Sequence, residues 1–247
     1  MSHSLNERRL VETSANLLIR RFHRDLSLEK AKDIIEKNRS TGKPMLYAGA
    51  NYDMADFLAT GCRKGVFIDK AYSDTFYPGG ISTKYGYLED FGCSLFRLVS
   101  PGDISNLSLT EEGDIKRGGK WIVGFSYCGE EKKVICYGKN IRRLATGELE
   151  AEELKDGLAH YATVHYPTEW SGIFIAPSIL DMIVPGGYLE TWFNENEKSP
   201  STEMGFQVIH KNNASPEERF GRSSTNGISI YDRLGDYVIL ERKPNLA

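Results

Sequence analysis

The feature that most constrains this chain is a series of strand, glycine, helix, strand and acid between residues 45 and 69. Met45-Leu46-Tyr47-Ala48-Gly49-Ala50 is a short apolar run, followed by Asn51-Tyr52-Asp53 and a helical stretch from Met54 to Thr60. After Gly61 a second apolar run, Gly65-Val66-Phe67-Ile68, ends in Asp69. The second run begins about fifteen residues after the first ends, too far for a hairpin but suited to a helical crossover between parallel strands. A parallel pair buries both of its faces, so the chain reads as α/β with helices on both sides of a sheet.

The flanking segments extend that pattern. Residues 5–38 are helical by periodicity, with Leu10, Leu17, Leu18 and Phe22 near one face and Leu28, Ala31, Ile34 and Ile35 near another. Ser27 is the N-cap expected for the second helix, and Ser40 to Pro44 ends it. Residues 72–92 read as a loop with a short helix near 82–91, and Gly113–Gly119 as a turn. Strands are expected at Ser94–Val99, Trp121–Tyr127 and Lys132–Tyr137, with hairpin chemistry at Cys128-Gly129-Glu130-Glu131. Residues 147–160 read as an acidic helix, Tyr161–Tyr166 as a strand, and Ile173–Val184 as an apolar helix that Pro185-Gly186-Gly187 ends. Three more strands are expected at Tyr188–Phe193, Gly205–His210 and Tyr237–Arg242.

Composition narrows the class. At 247 residues, 40% hydrophobic and 26% charged, the chain is neither disordered nor fibrous. A net charge of -3 gives no sequence-wide basic field, so general nucleic-acid binding is not expected. The basic run Arg20, Arg21, His23, Arg24 lacks aromatic interleaving and reads as a solvated helix face. Cys62, Cys93, Cys128 and Cys136 show no CxxC spacing, and no His/Asp/Glu cluster has metal-ligand spacing. The N-terminal residues have no apolar signal core, and no run approaches the roughly 20 apolar residues of a membrane span. A cytoplasmic protein without membrane partners is expected.

Ligands of doubly wound sheets bind beyond the carboxyl ends of the strands. Gly49 would let a ligand approach the backbone, and Asp69, about twenty residues on, has the usual spacing of an acid that accepts ribose hydroxyls. A dinucleotide site would need Gly-x-Gly-x-x-Gly to seat a pyrophosphate on helix amides. Here the run is Gly49-Ala50-Asn51-Tyr52-Asp53-Met54, without the later glycines and with an acid that opposes phosphate. A nucleoside ligand without phosphate tolerates both changes.

On these residues the chain resembles the class I, Rossmann-like S-adenosylmethionine-dependent methyltransferases. Met45–Ala50 resembles the family's first motif, Phe67-Ile68-Asp69 its second, and Ile183–Leu189 its Pro-Gly-Gly turn before strand five. Gly205–His210 and Tyr237–Arg242 resemble its last two, antiparallel strands. The chain departs from the pattern at Tyr47, where the family has an acid, and at Asn51, where it has a glycine. The resemblance implies a mostly parallel seven-stranded sheet over residues 44–247, an N-terminal helical extension over 1–43 and an antiparallel insertion near 92–131.

S-adenosylmethionine is the implied cofactor, with Tyr47, Gly49, Asn51, Asp69 and Asn140 as its contacts. Asn140 follows the third strand if that strand is Lys133–Tyr137; Asp103 takes its place if it is Leu95–Val99. His165, in His165-Tyr166-Pro167-Thr168-Glu169-Trp170, is the candidate base, with Glu169 behind it. That motif is not the Asn-Pro-Pro-Tyr of amino-group methyltransferases. Tyr47, Tyr52 and Tyr72 could face a sulfonium, but each is also a common packing residue, as are Trp121, Trp170 and Trp192. The acceptor is a small molecule or a protein, and the N-terminal helices and insertion are left for substrate or homodimer contacts. The alternative is a fold of this kind that has lost activity and serves as a binding module.

Overall fold

The computed structural model describes residues 5–21, 23–49, 54–72, 92, 95, 99–114, 119–162, 176–193, 204–212 and 236–244. Among these, nine strands form one central mixed sheet. They are β1 (Met45–Ala48), β2 (Lys64–Ile68), β3 (Ile104–Glu112), β4 (Lys120–Tyr127), β5 (Glu130–Tyr137), β6 (Leu158–Ala162), β7 (Ile183–Phe193), β8 (Phe206–Asn212) and β9 (Asp236–Arg242). The helices are α1 (Leu5–Arg21), α2 (Leu28–Thr41), α3 (Ala55–Thr60), α4 (Ile141–Ala145) and α5 (Pro177–Leu180).

The sheet order is β3-β4-β5-β2-β1-β6-β7-β9-β8. Its centre, β5-β2-β1-β6-β7, is all parallel. The chain runs from β1 outward through β2 to β5, then crosses back to β6 and β7. That is the 3-2-1-4-5 order of a doubly wound sheet, with its switch point between β1 and β6. An antiparallel strand, β9, follows on one side and carries β8 beyond it. On the other side β4 and β3 extend the β5 edge as an antiparallel meander. The sheet is therefore nine-stranded and mixed, not the seven-stranded sheet expected.

Each face of the sheet has its own apolar layer. Met45, Tyr47 and Phe67 point toward α1, α2 and α3, where Leu10, Leu18, Ile34, Ile35 and Phe57 complete a buried cluster. Leu46, Val66 and Ile68 point the other way, against Ile141 and Leu144 of α4 and Ile179 and Leu180 of α5. Ser27 caps α2, its hydroxyl accepting from the Lys30 N–H at 3.3 Å, as expected. The β4–β5 hairpin turns on Cys128 (φ 50) and Gly129 (φ 79), the pair of positive φ values that a two-residue I′ turn requires.

Three expectations fail here. At the described positions of Ser94–Val99 the chain is not a strand: Leu95 is helical and its carbonyl accepts from the Val99 N–H at 3.2 Å. The acidic helix at 147–160 is instead a single 3-10 turn, Glu152–Leu154, followed by β6. Strand β6 thus begins at Leu158, ahead of the expected Tyr161. The apolar helix shrinks to α5, with Pro177 in its first turn, and β7 already starts at Ile183. Pro185-Gly186-Gly187 lies within β7 and shifts its register against β6. A Cβ on Gly187 would stand 3.0 Å from the Ala159 carbonyl and 2.8 Å from Ile183 Cγ2, so a glycine is needed for this close approach.

Candidate functional site

The carboxyl ends of β1, β2 and β5 finish side by side. Gly49, at φ 70, donates its N–H to the Ile68 carbonyl at 3.0 Å. The Asp69 N–H donates to the Tyr137 carbonyl at 3.1 Å. The backbone ladder therefore continues one rung past the strands and places Gly49 and Asp69 at the ends of neighbouring strands, with Gly49 beside the switch point. Asp69 is half-buried. Its carbonyl accepts from the Tyr72 N–H at 3.3 Å, which closes a 3-10 turn, Lys70–Tyr72, immediately after β2.

Strand β5 is the third strand of the parallel block, so Asn140 follows it as expected. The Asn140 side chain caps α4: its Oδ1 accepts from the Arg142 N–H at 2.9 Å. Asp103 is excluded as the alternative. It sits in a turn before β3, its carbonyl accepts from Cys128 N–H beside the β4–β5 hairpin, and its carboxylate pairs with Arg9. That is the opposite end of β5 from Gly49 and Asp69.

The tyrosines that could have faced a sulfonium are divided by position. Tyr47 and Tyr72 are fully buried in the layer under α1–α3, with Tyr47 edge-on to Phe67 at 5.4 Å between ring centroids. Tyr47 therefore packs the core. Trp121 is also a core residue. Asn51, Tyr52, His165, Glu169 and Trp170 lie outside the described residues, as does the Trp192 side chain.

Sequence reasoning missed a buried polar array beside this site. Glu190 of β7 is level with Ala162, the last residue of β6, and Ala162 is level with Tyr47. Its carboxylate meets His23 Nε2 at 2.6 Å through one oxygen and His160 Nε2 at 2.7 Å through the other. All three side chains are 0–1% exposed. Burial alone would raise the Glu190 carboxyl, but the hydrogen bonds from His160 and His23 outweigh it and hold the group below the usual carboxylate range. Asn38 of α2 donates to the Thr60 carbonyl at 2.9 Å and reaches His160 Nδ1 at 3.3 Å. Histidines on β6 and after α1 lie far apart in sequence, so only the fold brings them together.

A second polar group, at the amino ends of the strands, surrounds Glu130. Arg39 grips its carboxylate with two bonds of 2.9 and 2.8 Å, Arg63 adds one at 3.1 Å, and buried Lys132 stands 2.7 Å away. Burial opposes ionisation of Glu130, but Arg39 and Lys132 bring it down to about 2. Cavities of about 380 Å³ beside this group and about 510 Å³ beside Gly157 and Arg242 both open at this end, away from Gly49 and Asp69.

No family model matches the chain, and no curated protein matches it. Among solved structures it is similar to the N-methyltransferase NodS from Bradyrhizobium japonicum WM9. The two are 12% identical, with a TM-score of 0.38, over 87% of this chain and 95% of that one. This likeness is too distant to carry an argument about activity. No described helix is long and apolar enough to cross a membrane.

Proposed function

We propose that the crevice at Gly49 and Asp69 binds S-adenosylmethionine and that the protein transfers its methyl group to a small-molecule or protein acceptor. The observation that carries this reading is the placement of Gly49 and Asp69 at the ends of adjacent parallel strands, the Gly49 N–H bonded to the Ile68 carbonyl just before Asp69. Three features support a nucleoside without phosphate. Asp69 ends β2 where a carboxylate can accept both ribose hydroxyls. Gly49 leaves the backbone bare beside it. Asp56 is buried in the first turn of α3, where a pyrophosphate seated on the helix N-terminus would meet a carboxylate.

S-adenosylmethionine, when bound, supplies a methyl group already activated on a sulfonium. The residues of this chain then bind and align. Asp69 would hold the ribose, the Gly49 backbone would border it and Asn140 would donate to the base, with Asn51 and Tyr47 as further contacts. Alignment of the acceptor with the methyl-sulfur axis provides most of the rate. His165 takes a proton from the acceptor where the acceptor has one to lose.

A binding module without turnover is the second reading, favoured by Tyr47, which fills the core where an acid would face the ligand. Calorimetric titration with S-adenosylmethionine, with NAD as a control, tests the crevice. Micromolar binding that is lost in Asp69→Ala supports it, and equal binding by the variant refutes it. Formation of S-adenosylhomocysteine in an acceptor screen separates the enzyme from the module.

A further inference from the structure

The turn that carries Asp69 is held from outside the parallel block. Trp121 belongs to β4, one of the two strands added beyond β5. It pairs with Cys136, and Cys136 pairs with Phe67, so Trp121 lies two rungs below Asp69 along the strands. Its indole Nε1–H donates to the Tyr72 carbonyl at 3.3 Å. The Tyr72 N–H in turn donates to the Asp69 carbonyl, and the Asp69 N–H donates to the Tyr137 carbonyl. Tyr72 is fully buried and Trp121 is 5% exposed. Losing the indole N–H therefore removes a hydrogen bond between two buried residues.

We propose that Trp121 is a positioning residue for Asp69, its indole anchoring the far end of the turn so that the carboxylate meets the vicinal hydroxyls of a ribose nucleoside. This rests on the reading of the crevice as a nucleoside site. The added strands β3 and β4 then brace the ribose acid. Trp121 itself touches no ligand. Its effect passes through the Tyr72 carbonyl to the Asp69 backbone, and a carboxylate shifted by a fraction of an ångström loses one of two directional bonds.

The test is a double-mutant cycle read by calorimetry with S-adenosylhomocysteine, using Trp121→Phe, Asp69→Asn and the pair. Trp121→Phe should weaken binding about three- to tenfold, the worth of one hydrogen bond in that range. In the Asp69→Asn background the same change should have no further effect. The 2′-deoxyribose analogue of the ligand gives a second readout, because its deficit relative to the parent should shrink in Trp121→Phe. Benzothienylalanine at position 121 keeps the bicyclic shape and deletes only the N–H, so it serves if phenylalanine prevents folding. An equal loss in both backgrounds, or none in either, overturns the positioning role while leaving Asp69 as the ribose acid. If the wild-type protein does not bind S-adenosylhomocysteine, the crevice reading falls and this role falls with it.

Discussion

Glu190 accepts from two imidazoles at once, and this decides where their protons sit. The Thr60 carbonyl can only accept, so Asn38 presents its amide nitrogen to it and, with its second hydrogen, to His160 Nδ1. His160 then carries its proton on Nε2, facing Glu190. His23 faces the other oxygen in the same sense. Removing the carboxylate in Glu190→Ala strands two buried donors and should cost about 1–3 kcal/mol for each, the usual penalty for an unsatisfied buried polar group. Urea unfolding at pH 7 checks this; a loss below about 1 kcal/mol would show that the array contributes little. Glu190→Gln should cost less, because its amide can still accept from His160 and donate to His23 after a change of tautomer. At the candidate site, Asp69 was legible in the sequence because strand and acid are local. Glu190 was not, since nothing in an isolated Leu-Glu-Thr announces two histidines 30 and 167 residues away.

Among the elements, the junction between α1 and α2 should respond to pH. It rests on β6, β7, β8 and β9 through imidazoles and one shared carboxylate. His23 stacks on Tyr237 at 5.3 Å and meets His210 edge-on at 5.0 Å. Burial, with repulsion from His23 and Lys30, pushes His210 down to about 4 against the pull of Asp25 and Glu190. The unfolded chain takes up this proton near pH 6.5, so stability is intact above that value and falls as pH drops toward 4. Glu190 acts lower: its folded pKa lies below the unfolded value of about 4.3, so its share is lost only below that pH. Unfolding midpoints should therefore begin to fall between pH 6.5 and 4, and His210→Gln should flatten that limb; an unchanged limb would assign the effect elsewhere. The elements also show where local pattern misleads. Leu154 and Leu158 have helical spacing, but Gly157, at φ 95, breaks the run, and parallel pairing with β1 draws Leu158–Ala162 into the sheet. In 173–184 the same apolar residues suit a helix or a buried parallel strand, and β6 decides for β7 from Ile183 onward.

For the whole molecule, the doubly wound centre was readable from one crossover unit, while the edge strands were only partly so. Strand β3 is not among the expected strands, and most of its residues are exposed at the rim of the sheet. The N-terminal helices, expected as an extension over 1–43, share the apolar layer of β1, β2 and α3. Leu10, Leu18, Leu26, Ile34 and Ile35 are all nearly inaccessible. Fully burying each such side chain is worth about 1.5–3 kcal/mol, and the sum rivals a net stability of about 5–15 kcal/mol. A chain of residues 44–247 should accordingly fail to give dispersed amide spectra; a well-folded truncation would show that 1–43 is dispensable. The antiparallel flank has a kinetic consequence. Strands β3, β4 and β5 are consecutive neighbours, and β4–β5 turn on two residues, so their loops close at small entropic cost. The pairing of β1 with β6 spans more than a hundred residues and must wait for that closure. On loop length alone, assembly should run from rim to centre: the meander should gather before the rungs at the switch point close.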